Sequence, residues 1–300
     1  MKGSALNEMK TKCDVAVIGA GVMGSAIIDR LVSQEHKVTA FDASPEAIEK
    51  LTAKGIKVVK TPAYAVSKIT TVILSLNHAD IVEKVVFGQA GIAQAACPNL
   101  LVIDMSSIDP SRTEQLARRL KSETGARWVD CPLSGGVPAV SEGKLTVMAG
   151  GDPEDFEEAR RVMNSLCKNY TLMGANGAGQ MTKLINQLFC AVTFQAVAEA
   201  VKLAESAGVI PEMIPKALLG GRADSAILQE FFLKFAKRDF SITGKIGNMQ
   251  KDLNSLQSFF LNKNLALPLT SQISDYHRML CINGLAEKDS AEMIAFLDGL

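Results

Sequence analysis

Three groups of residues have types and spacings that could do chemistry. The first is Lys183 with Gln187, in GAGQMTKLINQ at 177–187. On a helix, that spacing puts an ammonium and a carboxamide on one face, a turn apart. A lysine can give or take a proton, and an amide can hold an oxygen of the reacting molecule. A helical lysine is also a common solvated surface residue, and that reading stays open. The second group is Gly19-Ala20-Gly21-Val22-Met23-Gly24, with Asp42 about 20 residues on. In GxGxxG the glycines permit a tight turn, close approach to a pyrophosphate and close helix–strand packing, and the helix N-terminus faces the phosphates. Asp42 is placed to accept hydrogen bonds from both hydroxyls of a ribose. With Ala43 after it and no arginine beside it, a 2′-phosphate would be repelled, so NAD is expected rather than NADP. Asp42 also reads as a cap for the helix that Ser44-Pro45 begins. The third group is Ser134-Gly135-Gly136, whose backbone N–H groups could cradle a carboxylate, or which form an ordinary Gly/Pro-rich loop.

The elements that must position these residues can be read from periodicity. Val15–Ile18, Val38–Phe41, Val58-Val59, Thr71–Leu76, Leu100–Asp104, Ala126–Val129, Leu145–Ala149 and Tyr170–Met173 read as strands, with helical patterns at Pro45–Lys54, Asp80–Val86 and Ser111–Thr124. The alternation predicts an α/β fold of the Rossmann type: a mainly parallel sheet, helices on both faces, and ligands at the carboxyl ends of the strands. The strand-end segments 75–78, with Leu76 and Asn77, and 105–108, with Ser107, would then line the nicotinamide half of the site. From Ala178 to about Ala207 apolar residues recur every three or four positions, predicting one long helix that Gly208 stops. Further helices are expected near Glu212–Leu219, Ala226–Ala236, Asn248–Leu261, Leu269–Asn283 and Ser290–Leu297. The expected division is a dinucleotide-binding domain over 1–176 and an all-α substrate and oligomerisation domain over 177–300.

Composition sets the outer limits. The 32 basic and 32 acidic residues balance, with no long run of one sign, so neither a nucleic-acid nor a membrane partner is expected. Six scattered cysteines without CxxC read as reduced, mostly buried thiols. His36, His78 and His277 are isolated, and no metal site is expected. The first residues, MKGSALNEMKTK, hold no apolar leader core, and no apolar run approaches bilayer length, so the cytoplasm is the expected location.

Taken together, the chain resembles the β-hydroxyacid dehydrogenase family. The resemblance covers nearly the whole chain and rests on four motifs in order: GAGVMG at 19–24, DCPLSGG at 130–136 continuing to Gly151, GAGQMTKLINQ at 177–187, and Lys251-Asp252-Leu253. Lys-x-x-Asn-Gln and Gly220-Gly221-Arg222-Ala223-Asp224-Ser225 bring it nearest the tartronate semialdehyde reductase subgroup. The resemblance implies a Rossmann-type domain, a helical domain and an active site in the cleft between them. It also implies that the chain interconverts a small 3-hydroxy acid and its semialdehyde. Lys183 matches the catalytic lysine, Ser134, Gly135 and Gly136 the substrate-carboxylate loop, Ser107 a cofactor contact, and Lys251 a lysine reaching the cofactor. Gln187 and Arg222 are expected to meet substrate. Gly244 stands where relatives often carry phenylalanine, which should reshape the pocket.

A free lysine, with a pKa of about 10.4, is a poor base at neutral pH; burial lowers that value and a bound carboxylate raises it. Two rivals share the architecture. An imine reductase commonly carries a different acid at the lysine position, and a non-catalytic dinucleotide-binding module loses the lysine. The long apolar helix favours a homodimer or homotetramer.

Overall fold

A sheet whose strands bury both faces accounts for most of the first half of the chain. In β1 (Asp14–Ile18), Val15 and Val17 pack into one apolar layer while Ala16 and Ile18 pack into the other. This period-two alternation leaves no polar face, as expected for parallel strands covered on both sides. The computed structural model describes residues 12–299. The N-terminal stretch read for a leader therefore lies, up to residue 11, outside the described residues.

After β1 come α1 (Val22–Ser33), β2 (Lys37–Phe41), α2 (Pro45–Ala53), β3 (Lys57–Val58), α3 (Pro62–Val66) and β4 (Thr71–Leu74). The unit continues with α4 (Ala79–Phe87), β5 (Leu101–Asp104), α5 (Pro110–Thr124), β6 (Arg127–Asp130) and β7 (Leu133–Ser134). It closes with α6 (Gly136–Glu142), β8 (Leu145–Gly150), α7 (Pro153–Met163) and β9 (Cys167–Gly174). The sheet runs β3-β2-β1-β4-β5-β6-β8-β7, with β9 paired to β8. From β3 to β6 every pairing is parallel, so β1, β4, β5 and β6 end on one edge. Beyond β6 the pairings β6–β8 and β7–β8 are antiparallel, which the alternation of strands and helices did not predict. Helices α1 and α7 supply Ile27, Ile28, Leu31 and Phe156 to one layer, and α5 supplies Leu116 and Leu120 to the other. Each such side chain, fully buried, contributes roughly 1.5–3 kcal/mol.

The chain divides into two compact units between Lys183 and Leu184. The division falls inside α8 (Ala178–Ser206), so Lys183 is the last residue of the first unit. The second unit is helical: α9 (Ile214–Leu218), α10 (Ala226–Ala236), α11 (Ile246–Asn262), α12 (Pro268–Leu280) and α13 (Glu292–Asp298). Phe232, Phe235, Ile246, Leu280 and Met293 form its main core. The predicted helix at 212–219 is a 3₁₀ turn followed by α9, and that at 269–283 loosens into a π-helical turn where Gly284 takes φ 85°.

Two expectations are corrected. Helix α8 is long and apolar enough, by length and composition, to cross a membrane, so one apolar stretch does reach bilayer length. All six cysteines are free, but only Cys131 and Cys167 are buried; Cys97 is exposed and the other three are half-buried. Cys97 sits in the loop before β5, where no apolar periodicity argued for burial in the first place.

Candidate active site

The glycine turn follows β1. Gly19 N–H donates to the Phe41 carbonyl, which holds the turn beside β2. A Cβ on Gly24 would run into the Gly19 carbonyl, so the third glycine lets helix and strand approach. A Cβ on Gly21 would meet nothing within 4 Å. Gly21 caps α1 without any side-chain hydrogen bond, and Val22 beside it is 79% exposed. The start of α1 is therefore open at Gly21 and Val22, with no side-chain cap among the described residues, and a helix N-terminus favours an anion there. In the segment 19–24, Gly19, Ala20 and Gly24 shape the turn, and the open side at Gly21, Val22 and Met23 leaves room for a dinucleotide pyrophosphate.

Asp42, just past β2, is half-buried. Its Oδ2 accepts from Ala20 N–H at 2.5 Å and its Oδ1 from Ser44 N–H at 2.7 Å. The cap of α2 is Ser44, which accepts from Ala47 N–H at 3.4 Å, so Asp42 is not the helix cap. It ties the glycine turn to the end of β2 and keeps lone pairs for a ribose hydroxyl.

At the next strand end Leu76 is half-buried and Asn77 exposed. Leu76 N–H donates to Ser106 Oγ at 3.1 Å, joining the ends of β4 and β5. Ser106 is buried and structural, while Ser107 beside it is half-buried. Ser134 lies in β7, paired with Thr146, rather than in a loop. Gly135 and Gly136, with φ 122° and 64°, make the exposed turn into α6.

The start of α8 rests on an acid that sequence reasoning passed over. Asp130, the last residue of β6, accepts from Gly177 N–H at 2.9 Å and from Gln180 N–H at 3.1 Å. This supplies, from another element, the capping that a helix N-terminus otherwise takes from its own first residues. A Cβ on Gly179 would lie 2.7 Å from Asp130 Oδ2, so the glycine admits the carboxylate. Gln180, 1% exposed, donates through Nε2 to the Ser106 carbonyl at 2.8 Å and accepts at Oε1 from Ile108 N–H at 3.2 Å. Three residues on, Lys183 is half-buried.

Asp104 is the register partner of Asp130, on the same face of the sheet, and both are fully buried. Burial raises the Asp104 carboxyl to about 7, with Asp130 adding to the rise. Burial likewise lifts Asp130 to about 6, held down in part by the amides of Gly177 and Gln180.

In the helical unit Gln187 Nε2 donates to Asp252 Oδ2 at 2.7 Å, and Asn186 Nδ2 donates to Gln187 Oε1 at 3.0 Å. Lys251 Nζ lies 3.6 Å from Asp252 Oδ1. Arg222 is exposed, in the turn that Asp224 closes by accepting from Gly220 N–H at 2.7 Å. Gly244 is also exposed; its N–H donates to the buried Asp289 at 3.0 Å and a Cβ there would meet nothing within 4 Å. Among the described residues no cluster of three His, Cys, Asp or Glu side chains could hold a metal ion. Sequence reasoning gave no role to Asp104, Asp130, Gln180 or Asp252, although the last three lie within the motifs at 130–136, 177–187 and 251–253. A further signal for Gln180 was a polar residue in the first turn of an apolar helix.

Residues 14–174 match the NAD binding domain of 6-phosphogluconate dehydrogenase. Residues 177–297 match the NAD-binding domain of NADP-dependent 3-hydroxyisobutyrate dehydrogenase. The 2-hydroxy-3-oxopropionate reductase of Escherichia coli is 33% identical, over 94% of this chain and 96% of that protein. The mitochondrial 3-hydroxyisobutyrate dehydrogenase of Bos taurus is 30% identical, over 96% of this chain and 88% of that protein. Among solved structures, 3-hydroxyisobutyrate dehydrogenase of Mycobacterium tuberculosis with L-serine superposes with a TM-score of 0.85 at 27% identity. The match covers 96% of this chain and 99% of that one.

Proposed function

The chain belongs to the β-hydroxyacid dehydrogenase family of NAD(P)-dependent oxidoreductases, and on that footing we propose that it interconverts a small 3-hydroxy acid and its semialdehyde. The substrate is of the kind that tartronate semialdehyde reductase or 3-hydroxyisobutyrate dehydrogenase handles. One observation carries the reading. The helix bearing Lys183 starts on Asp130 and Ser106, at the same carboxyl edge of the sheet where the glycine turn follows β1. That edge is where open α/β sheets bind ligands.

A nicotinamide dinucleotide held at the glycine turn would supply the hydride chemistry at the hydroxyl-bearing carbon. Lys183 moves the matching proton, as general acid toward the semialdehyde oxygen and as base toward the alcohol. Gly135 and Gly136 offer exposed backbone to the substrate carboxylate, with Ser134 beside them; Gln187 orients the substrate, and Arg222 adds a cation for its polar end. The first-turn amides of α1 take the pyrophosphate, while Leu76, Asn77, Ser107 and Lys251 contact the cofactor. Asp42 favours NAD over NADP, because its carboxylate would repel a 2′-phosphate. Residues 1–176 carry the cofactor role and 177–300 the substrate and assembly roles.

We place the enzyme in the cytoplasm, which suits six free cysteines, and read it as a homodimer or homotetramer without nucleic-acid or membrane partners. Ile185, Phe189 and Leu203, exposed on α8, support assembly. The polar and charged residues Lys183, Asn186, Gln187, Glu199 and Lys202 on the same helix argue against a bilayer.

Nucleotide oxidation and reduction measured against a panel of small hydroxy acids, semialdehydes and cyclic imines tests the reading. Turnover confined to hydroxy acids and their semialdehydes is expected. Turnover only on imines, or nucleotide binding with no turnover, would overturn it.

A further inference from the structure

We infer that Gln180 is a positioning residue, which fixes Lys183 relative to the strand-end loop that carries Ser107; the inference rests on the proton-transfer role proposed above for Lys183. The carboxamide of Gln180 bonds the backbone on both sides of Ser107: Nε2–H donates to the Ser106 carbonyl at 2.8 Å and Oε1 accepts from Ile108 N–H at 3.2 Å. A neighbouring strand would offer a peptide the same pair of partners, so one side chain stands in for a strand at the loop. The backbone N–H of the same residue donates to a third partner, Asp130 Oδ2, at 3.1 Å. Ser106 in turn accepts at Oγ from Leu76 N–H at 3.1 Å. The carboxyl ends of β4, β5 and β6 thus converge on the first turn of α8.

Gln180 is 1% exposed, so neither bond can be replaced by bulk water. Lys183 follows three residues later, about 4.5 Å along the helix axis at the usual rise. With one turn between clamp and ammonium, little slack can develop. Removing the clamp frees the first turn to tilt and shifts Lys183 against whatever Ser107 contacts. A misplacement of about 1 Å in a reacting group costs roughly 10²-fold in rate.

A double-mutant cycle tests this in the full-length enzyme. Gln180→Leu keeps apolar bulk and removes both bonds; Gln180→Glu keeps the acceptor for Ile108 N–H and, as the neutral acid that burial favours, a single weaker donor for the Ser106 carbonyl. Each is combined with Lys183→Ala, and single-turnover hydride transfer is read alongside dinucleotide affinity and Tm. We expect Gln180→Leu to slow hydride transfer by roughly 10²-fold, with dinucleotide affinity nearly unchanged and no further loss in the Lys183→Ala background. Gln180→Glu should fall between Leu and wild type, and it decides the matter alone if the leucine variant does not fold. A lower Tm with normal hydride transfer by the folded protein would show a purely structural role and overturn the inference. So would losses that multiply across the cycle. If Lys183→Ala itself keeps full turnover, the proton-transfer reading fails and takes this inference with it; if Lys183→Ala is inactive while Gln180→Leu is normal, only the inference fails.

Discussion

Gln187 Nε2 donates to Asp252 Oδ2 at 2.7 Å, joining α8 to α11 inside the helical unit. Asn186 occupies Gln187 Oε1 from the other side, at 3.0 Å, so the carboxamide is held in one orientation. A hydrogen bond to a charged group contributes about 1.5–3 kcal/mol, roughly 10–100-fold in a binding constant. Asp252→Ala should therefore raise KM for the acid substrate about tenfold or more, and Asp252→Asn less, because an amide oxygen can still accept. An unchanged substrate KM in Asp252→Ala would show that Gln187 is not oriented from there.

Asp42 holds the glycine turn through Ala20 N–H, and the role proposed for it is to set the cofactor choice. Asp42→Ala should lower kcat/KM with NADH by about 10–100-fold, the range of a charged hydrogen bond, while leaving or raising kcat/KM with NADPH. The ratio for the two nucleotides on one substrate is the measurement. A wild-type preference for NADPH would refute the role given to Asp42.

Two glycines of one turn should separate folding from binding. A Cβ on Gly24 strikes the Gly19 carbonyl, whereas a Cβ on Gly21 enters empty space. Gly24→Ala is expected to destabilise by about 1–3 kcal/mol, as overpacking does, visible as a lower urea midpoint. Gly21→Ala should fold normally and bind dinucleotide weakly. The reverse pattern would mean that the pyrophosphate does not pass over Gly21.

The buried pair Asp104 and Asp130 makes stability depend on pH. Their folded-state pKa values are raised, to about 7 and about 6, while an unfolded aspartate titrates near 3.9, so the folded chain binds more protons between about pH 4 and 7. Stability from these groups therefore falls as pH rises through that window. Asp104→Asn removes its share of the cost, about 1.4 kcal/mol for each tenfold change in proton affinity. The variant should be more stable than wild type at pH 8, with the gap shrinking toward pH 4.5. Parallel Tm–pH curves for the two proteins would contradict this.

Residues that are periodic or chemically conspicuous were legible in the sequence. Val15–Ile18, the glycines after it, Asp42 and the long run from Ala178 announced strand, turn, acid and helix, because each obeys a local rule. β7 was not legible: Leu133-Ser134 is too short to show alternation, and antiparallel pairing with β8 is a long-range choice. Nor was the support of the site. Asp130, Gln180 and Asp252 act through partners 47, 74 and 65 residues away, and no local pattern marks a polar residue as buried and paired. Sequence pointed to the lysine; the clamp that holds its helix became visible only in three dimensions.

The proton-transfer role proposed for Lys183 is tested most directly by single-turnover hydride transfer from bound NADH to a small semialdehyde, comparing wild type with Lys183→Ala. The expected result is a loss of roughly 10²–10⁴-fold, the range for a missing general acid, with the Kd for NADH little changed and a wild-type pH dependence that disappears in the variant. Hydride transfer at the wild-type rate in Lys183→Ala would contradict the account.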